Sequence, residues 1–357
     1  SLYSYRLYKE MAKLPKCEVV ILANKVNNIK RLRENGLTII KCWRRGNPIS
    51  FINLLYHIVQ SRADVVHIQH GWLLYGLIPL VILPILLLAI KAFTARCLVI
   101  TLHSIPVPDI SFLRRAFFTF FIRVICALAD GIIVHTDAMK RTLTQVYGVK
   151  ANMVTVIPHG IRRVRPIAVG EESKDILFIG YLRPSKGIEY LLKAMPYVLK
   201  EVPEARLIIV GGEHAHEKPG YMTKLLKTAL SMKLGKKVIF KGFVPERDLV
   251  QTIYKSKMVV VPYLNDALLE ASGAICEAMA LAKPVICTRI PKFMAFFSPG
   301  ECIMVQPEDP RELADAIITV FKDANLALRL KSKMKRKAVN CYCCLLYTSD
   351  AADDGES

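Results

Sequence analysis

Acidic residues are scarce in the first half of this 357-residue chain, since residues 1–165 contain 7 aspartates and glutamates against 23 lysines and arginines. A basic surface of this kind suits nucleic acid, an anionic membrane or an acidic substrate. The chain lacks the glycine and aromatic signature of an RNA-binding sheet and shows no basic helix-turn-helix pattern. We therefore expect no nucleic-acid partner, and the apolar segments in the same half favour an anionic membrane surface.

Metal and disulfide patterns are missing as well. The ten cysteines show neither metal-ligand spacing before the C-terminal tail nor a regular pairing pattern, which is typical of reduced, buried thiols in a cytosol. No segment has the pattern of a signal peptide. These absences predict a cytoplasmic protein without disulfides or a metal site.

Both ends of the chain differ from those of a complete gene product. The chain begins with Ser1, and CLLYTSDAADD at 344–354 resembles the translation of a sequencing adapter. We expect residues 344–357 to be a non-native tail, with the natural chain cut near Cys343. SLYSYRLYKEMAKLPK at 1–16 reads as an amphipathic helix, and we expect that whatever preceded it is missing.

Apolar runs alternate with helical patterns along the chain, as in parallel α/β folds. The runs are apolar throughout, which predicts strands covered on both faces. They lie at 17–23, 37–42, 64–69, 97–103, 131–135, 153–158, 175–180, 206–212, 237–243, 258–263, 284–288 and 302–305. The predicted fold is α/β, with two doubly wound Rossmann-like domains at 1–160 and 175–340 joined by a polar hinge at 161–174.

The segment 72–90, WLLYGLIPLVILPILLLAI, contains 19 uncharged residues, close to the roughly 20 that cross a bilayer as a helix. Pro79 and Pro84 oppose a span, because each costs about 3 kcal/mol in a helix interior. The flanking strands should also lie parallel in one sheet, which requires a crossover between them. A helix dipping into one leaflet, a buried crossover helix and a true span stay open. The next helix, 112–129, mixes arginines and phenylalanines, and either lies at an interface or packs as core.

One loop carries two cations before a helix. Arg183 and Lys186 lie between the strand at 175–180 and a helix that begins near Gly187. Backbone N–H groups at a helix start favour an anion, and the two side chains would add charge-assisted hydrogen bonds. The loop therefore suits a phosphate, and a solvated surface loop is the alternative.

A second helix start adds a carboxylate. Ser272 and Gly273 precede a helix that carries Glu277 about one turn in. Gly273 would let a ligand approach the backbone, and the helix start again favours negative charge. An acceptor-only carboxylate beside an anion site suits the hydroxyls of a ribose. Phosphate and ribose together predict a nucleotide, unless Glu277 only solvates or caps its helix.

These motifs together resemble the family 4 retaining glycosyltransferases of GT-B fold. The similarity covers residues 17 to about 338 and rests on VVHIQHG, VITLHSIP, VTVIPHGI, ILFIGYLRPSKGIEYLLKAM, VIFKGFVPERDL and SGAICEAMALAKPVI, in that order. It implies two domains facing across a cleft, the second binding a nucleotide-diphosphate sugar and the first an acceptor. It also implies hexosyl transfer with retained anomeric configuration and no cofactor or essential metal.

The resemblance implies roles for individual residues. Arg183 and Lys186 would clamp the donor diphosphate and Glu277 would bind the ribose. His103 matches the histidine beside the transferred sugar and is taken as the catalytic-site residue, acting by positioning, although a core histidine at a strand end is the alternative. His70 and Gly71 would lie on the acceptor side. The full donor-binding set is Arg183, Lys186, Gly187, Ser272, Gly273, Glu277, Gly242, Phe243 and Val244.

The chain departs from the family pattern in two ways. The resemblance implies that the first strand of the first domain would precede Ser1, so that this strand is missing. The other departure concerns a single position. Leu269 stands eight residues before Glu277, where the family often has a second glutamate that contacts the donor sugar, and Glu270 is out of step. No carboxylate pair is placed for the two-step route of retaining glycosidases. The expected mechanism is therefore electrostatic stabilisation of the departing diphosphate in a closed site that excludes water.

The basic and apolar first domain predicts a membrane-associated acceptor, such as a lipid-linked glycan or a glycolipid. The predicted location is peripheral, on the cytoplasmic membrane face. A soluble glycosyltransferase with a small or glycan acceptor is one alternative. A non-catalytic nucleotide-sugar-binding protein of the same fold is the other.

Overall fold

The computed structural model describes residues 2–25, 31–34, 36–72, 77–94, 96–107, 112–161, 173–213, 220–265 and 268–341. The chain divides into two compact units. Apart from the tail, the first unit comprises Ser1–Gly160 and Ala267–Ala271, and the second unit comprises Ile161–Asp266 and Ser272–Cys343. The predicted hinge at 161–174 lies largely outside the described residues, and the predicted tail at 344–357 lies wholly outside them.

The first unit contains a four-stranded parallel sheet ordered Val65–His70, Cys97–Leu102, Gly131–Val134 and Val154–Val156. A separate three-stranded sheet pairs Val19–Asn24 in parallel with Leu37–Trp43, whose other edge carries the antiparallel Arg31–Glu34. The helices are Leu2–Met11, Ser50–Ser61, Leu77–Thr94, Phe112–Leu128 and Asp137–Arg141, the last continuing into a π-helical turn at Thr142–Val146.

A short two-stranded ribbon completes the first unit. Leu268–Glu270 pairs antiparallel with Ser104–Pro106. Neither strand is predicted by the sequence, and neither is Arg31–Glu34, because three or four residues are too few to show a strand period. Leu269 lies opposite Ile105 and is buried in the apolar core of this unit.

The helix Leu77–Thr94 is the crossover between the parallel strands Val65–His70 and Cys97–Leu102. One of its faces is buried through Leu83, Leu87 and Ile90, with exposed fractions of 1%, 0% and 0%. The opposite face exposes Ile85, Leu88 and Phe93 by 64%, 54% and 70%. Within the described part of the chain, no helix combines the length and apolar character needed to cross a membrane. The connection is thus the predicted crossover, with one buried and one exposed apolar face.

The second unit is built on a six-stranded parallel sheet. Its strands follow the order Val238–Gly242, Arg206–Val210, Asp175–Ile179, Met258–Val261, Val285–Thr288 and Ile303–Val305. Numbered along the chain, this is the order 3-2-1-4-5-6 of a doubly wound dinucleotide-binding sheet. Both faces are covered, since Ile176, Leu177 and Phe178 have no exposed surface. The predicted α/β class and the parallel strands of both units are confirmed.

The helices of the second unit include the two predicted to begin near Gly187 and after Ser272. They are Ile188–Glu201, Tyr221–Ser231, Glu246–Lys255, Gly273–Ala280, Pro291–Met294, Pro310–Lys322 and Ala324–Cys341. Asp309 caps one of them, accepting hydrogen bonds from the backbone N–H groups of Arg311 and Glu312 at 2.9 and 3.0 Å. Because parallel strands need crossovers, these helices cover the sheet and leave its carboxyl edge to the loops.

Candidate functional site

The order of the second sheet reverses between Asp175–Ile179 and Met258–Val261, which pair in parallel as neighbours. In open doubly wound sheets, ligands bind outside the carboxyl ends of the strands at this point. The loop after the first of these strands carries Arg183 and Lys186, and the chain after the second leads to Ser272 and Glu277. The topology therefore brings both predicted ligand loops to one place on the second unit.

Gly187 packs these two loops together. Its φ of 65° lies in the left-handed region, and a Cβ built on it would lie 1.8 Å from the carbonyl oxygen of Pro262. Beside this contact, the backbone N–H of Leu264 donates to the carbonyl of Ser185 at 2.9 Å. Only glycine allows this approach of backbone to backbone. Gly187 thus has a structural role, and it fixes the position of Lys186 immediately before it.

Two buried lysines lie beside one tyrosine ring. The Lys186 Nζ lies 3.6 Å from the centroid of the Tyr263 ring, and the Lys292 Nζ lies 5.1 Å from the same centroid. Their exposed fractions are 8% and 7%. The hydroxyl of Thr288 donates to the carbonyl of Tyr263 at 2.5 Å and so holds the tyrosine backbone. Two ammonium groups beside one ring concentrate positive charge at this place, which favours an anion.

Lys292 is a residue that the sequence motifs did not select. It lies on the short helix Pro291–Met294, just after the strand Val285–Thr288. The signal that identifies it is positional, since side chains that follow neighbouring parallel strands collect at one edge of the sheet.

The helix Gly273–Ala280 begins at Ser272 without a side-chain cap. The Ser272 hydroxyl is enclosed, and within the described part of the chain it has no hydrogen-bond partner. A Cβ on Gly273 would meet no atom within 4 Å, so the space beside the helix start is open. Glu277 lies half-buried one turn further along. An open helix start of this kind binds anions through its backbone N–H groups.

The segment Gly242 to Val244 lies at the carboxyl end of the strand Val238–Gly242, where Gly211 donates to the Gly242 carbonyl at 2.8 Å. Phe243 is 67% exposed, and its ring meets Tyr181 edge to face with 5.9 Å between centroids. Val244 is half-buried against the core. The segment therefore presents an exposed aromatic pair on the second unit.

The first unit brings His103 into a hydrogen-bonded chain. The Nε2 of His103 lies 2.6 Å from the Oε1 of Gln69, and its Nδ1 lies 3.1 Å from the Nε2 of His135. The Nδ1 of His135 lies 3.0 Å from the carbonyl oxygen of Ile157. Tyr3 packs against this group, with ring centroids 5.2 Å from His103 and 4.3 Å from His159.

Sequence motifs selected His103 but neither Gln69 nor His135. The detectable signal is that Gln69, His103 and His135 each stand at the carboxyl end of a strand in the same parallel sheet. Burial, with smaller effects of the neighbouring His135 and His159, lowers the pKa of His103 to about 3. Burial also lowers the pKa of His135. Both histidines are therefore neutral at physiological pH.

His70 lies in the core of the first unit. Its side chain has no exposed surface, and its ring centroid lies 5.5 Å from that of Trp72 and 6.1 Å from that of Phe121. Burial lowers its pKa to about 4. Its carbonyl accepts a hydrogen bond from the backbone N–H of His103 at 2.9 Å. The His70 ring therefore faces apolar groups, and the acceptor-side role of His70 and the adjacent Gly71 stays a prediction.

Leu269 explains the departure from the family pattern. It is 8% exposed and lies among the apolar core residues of the first unit. A carboxylate at this position would be buried without a partner, which is strongly unfavourable. No group of three or more histidines, cysteines or carboxylates in the described ranges is arranged to hold a metal ion.

Comparison with protein families assigns both halves of the chain. Residues 1–165 match the family described as Glycosyltransferase Family 4, and residues 163–337 match the family described as Glycosyl transferases group 1. An uncharacterized glycosyltransferase of Methanocaldococcus jannaschii is 31% identical over 231 residues, which cover 59% of this chain and 56% of that protein. Mannosylfructose-phosphate synthase of Agrobacterium fabrum is 28% identical over 234 residues, which cover 61% of this chain and 51% of that protein. The matched part of the chain thus spans about half the length of these curated relatives.

Solved structures show the same fold. Sucrose-phosphate synthase of Thermosynechococcus elongatus has a TM-score of 0.76 at 18% identity, covering 99% of this chain and 92% of that one. Anabaena HepE in complex with UDP-glucose has a TM-score of 0.66 at 20% identity, covering 88% of this chain and 86% of that one. These similarities establish the fold.

Proposed function

Because the chain belongs to the family 4 glycosyltransferases and has their GT-B fold, we propose that it transfers a sugar from a nucleotide-diphosphate donor to an acceptor with retained anomeric configuration. The second unit is proposed to bind the donor. The observation that carries this proposal is the convergence of the two ligand loops at the point where the second sheet reverses its strand order.

Charge at this point supports a diphosphate. Lys186 and Lys292 place two buried ammonium groups beside one tyrosine ring, and Arg183 lies in the same loop as Lys186. The open start of the helix Gly273–Ala280 adds backbone donors. Each hydrogen bond to a charged group contributes about 1.5–3 kcal/mol. We assign the diphosphate to Arg183, Lys186 and the residues Ser272 and Gly273, with Lys292 as a further cation.

The remaining donor contacts follow from the same edge of the sheet. Glu277, one turn into its helix, is placed to accept hydrogen bonds from ribose hydroxyls. The exposed pair Tyr181 and Phe243, next to Gly242 and Val244, offers an aromatic surface for the base. Charge that develops on the departing diphosphate would be stabilised by the cations and the helix start, without a protein nucleophile. His103 in the first unit is assigned to positioning the transferred sugar.

We propose a membrane-associated acceptor, such as a lipid-linked glycan or a glycolipid. The support lies in three neighbouring helices, Ser50–Ser61, Leu77–Thr94 and Phe112–Leu128, the middle of which contacts both others. They expose Ile52, Ile85 and Phe120 by 71%, 64% and 70%. Arg115 is exposed on the last of them. Exposed apolar side chains with neighbouring basic groups suit the surface of an anionic membrane.

A small phosphorylated acceptor is the second candidate. Its support is the name of one relative, a mannosylfructose-phosphate synthase, and the basic composition of the first half of the chain. In that case the exposed apolar helices would have no part in acceptor binding.

The donor proposal is tested by thermal unfolding in the presence of UDP-, GDP- and ADP-sugars and their free nucleotides. A ligand at about 100 times its dissociation constant should add roughly 2.7 kcal/mol of stability. We expect one nucleotide class to stabilise the protein, and Arg183→Ala and Glu277→Ala to abolish that gain while folding normally. Stabilisation by no nucleotide, or equal stabilisation of both variants and wild type, would contradict the proposal.

The acceptor proposal is tested by co-sedimentation with vesicles. Binding to vesicles that contain anionic lipid, weakened by Phe120→Glu and by Arg115→Glu, would support a membrane acceptor. Absence of binding, with sugar transfer to a small phosphorylated alcohol, would favour the second candidate. Lys236→Glu, at an exposed lysine of the second unit, changes the charge by the same amount as Arg115→Glu and serves as the matched control.

A further inference from the structure

The hydrogen-bonded chain around His103 contains more contacts than two neutral histidines can supply with protons. Three contacts run from the Gln69 Oε1 through His103 and His135 to the Ile157 carbonyl, at 2.6, 3.1 and 3.0 Å. Both ends of this chain are carbonyl oxygens, which only accept. Three hydrogen bonds therefore require three ring N–H groups, whereas two neutral imidazoles carry two.

A third proton would make one of the rings an imidazolium. Burial opposes this charge, and His159 lies beside His135 with 5.4 Å between ring centroids, so a third histidine faces the pair. His103 is half-buried and His135 is 3% exposed. Among the described residues, no carboxylate hydrogen-bonds to either ring. His103 and His135 are therefore both neutral, and the pair carries two ring protons.

One rearrangement satisfies these three contacts with only two ring protons. A half-turn of the Gln69 amide exchanges its oxygen and nitrogen, so that its NH₂ group donates to the Nε2 of His103. The amide oxygen then accepts from the hydroxyl of Tyr8, which lies 2.9 Å from that end of Gln69. The backbone carbonyl of Ile157 cannot be exchanged in this way, so the Nδ1 of His135 must carry its proton.

We infer that His135, held by the Ile157 carbonyl, fixes His103 in the Nδ1–H tautomer and leaves the Nε2 of His103 as a proton acceptor. The order of donation is from His103 Nδ1 to His135 Nε2, and from His135 Nδ1 to Ile157. The same rearrangement fixes His67, whose Nε2 lies 2.7 Å from the Thr101 hydroxyl and 3.3 Å from the Gln69 amide. With the amide oxygen facing it, His67 carries its proton on Nε2.

The consequence for the reaction rests on the proposed function. An unprotonated Nε2 accepts a hydrogen bond from a hydroxyl but cannot donate one to a phosphate. His103 would thus recognise a hydroxyl group of the sugar, in place of its present partner Gln69. His135 is a positioning residue, because it acts only through the tautomer of His103.

The tautomers are measured directly by long-range ¹⁵N–¹H NMR correlation on the histidine rings of the protein without ligand, with assignments from single substitutions. We expect Nδ1–H for His103 and His135 and Nε2–H for His67. His135→Phe removes the acceptor and should shift His103 towards the Nε2–H form, whereas His135→Gln keeps an acceptor and should retain Nδ1–H. An Nε2–H signal for His103 in the wild-type protein would overturn the inference, whatever the activity.

Kinetics separate this inference from the proposed function. If the protein transfers sugar, His135→Phe should lower kcat about tenfold with little change in the donor KM, and His135→Gln should restore most of the loss. Equal kcat values for His135→Phe and wild type would overturn the positioning role. A protein with the predicted tautomers that binds no nucleotide sugar would contradict the proposed function and leave the tautomer assignment supported.

Discussion

Gly187 offers a test of how the candidate site is built, because a second glycine provides a matched control. Gly187 and Gly242 have nearly the same left-handed backbone, with φ of 65° and 64°. A Cβ on Gly187 would lie 1.8 Å from the Pro262 carbonyl oxygen, whereas a Cβ on Gly242 would meet nothing within 4 Å. Alanine at the two positions therefore shares the same backbone strain and differs in the steric clash.

The magnitudes follow from these contacts. Left-handed strain costs a non-glycine residue about 1–2 kcal/mol, and this applies to both variants. At Gly187 the clash forces the backbone apart, which adds about 1–3 kcal/mol. Separation of the loops also weakens the hydrogen bond from Leu264 to Ser185, worth about 0.5–1.5 kcal/mol. We expect a loss of about 2.5–6.5 kcal/mol for Gly187→Ala and about 1–2 kcal/mol for Gly242→Ala.

The assay is urea unfolding followed by circular dichroism, with the slope of the transition checked for equality between variants. The predicted result is a difference of about 1.5–4.5 kcal/mol between the two alanine variants, from the clash and the weakened hydrogen bond. Equal losses would show that the backbone contact between Gly187 and Pro262 does not form, and would refute the placement of Lys186 beside Tyr263.

Three further predictions concern the buried histidines of the first unit, Leu269 and Lys292. The free energy of unfolding should fall as pH decreases from about 6.5 towards 4, because the buried histidines have lower pKa values in the folded state than in the unfolded state. The unfolded state then binds more protons, which costs up to about 2 kcal/mol of stability per histidine at pH 5. Urea midpoints at pH 7 and 5 check this, and equal midpoints would contradict it. Burial lowers these pKa values to about 4 for His67, His70 and His159 and to about 3 for His103. Leu269→Glu should destabilise the protein by about 3 kcal/mol or more, as expected for an unpaired buried charge. Leu269→Met should cost less than about 1.5 kcal/mol. Thermal unfolding distinguishes the two variants, and a stable glutamate variant would refute the burial of Leu269. Lys292→Met should weaken binding of the stabilising nucleotide about tenfold or more by calorimetry without loss of folding, and unchanged affinity would remove this residue from the site.

Strand positions were predictable because parallel strands covered on both faces are apolar throughout. The runs at 175–180 and 258–263 correspond to Asp175–Ile179 and Met258–Val261 in the structure. Their order in the sheet is a long-range property, and it became visible only in the structure. That order is what identifies the edge where Lys186 and Glu277 lie.

Contacts that depend on burial could not be read from the sequence. His70 belongs to a motif that suggested an acceptor-side residue, and the packing of its ring against Trp72 and Phe121 became visible only in the structure. Lys292 has no motif around it and is selected only by its position after a strand. The hydrogen-bond partners of His103 were also not predictable from local sequence, because Gln69 and His135 are 34 and 32 residues away in the chain.

Calorimetric titration with free nucleoside diphosphates tests the central claim most directly. One nucleoside diphosphate should bind with a stoichiometry near 1, and Arg183→Ala and Glu277→Ala should each abolish that binding. The matched control is Lys322→Ala, whose ion pair with Glu201 lies at the far end of the 14-residue helix that starts beside the site, about 20 Å away. Binding that survives both site substitutions, or that is lost equally in the control, would contradict a donor site at the carboxyl edge of the second sheet.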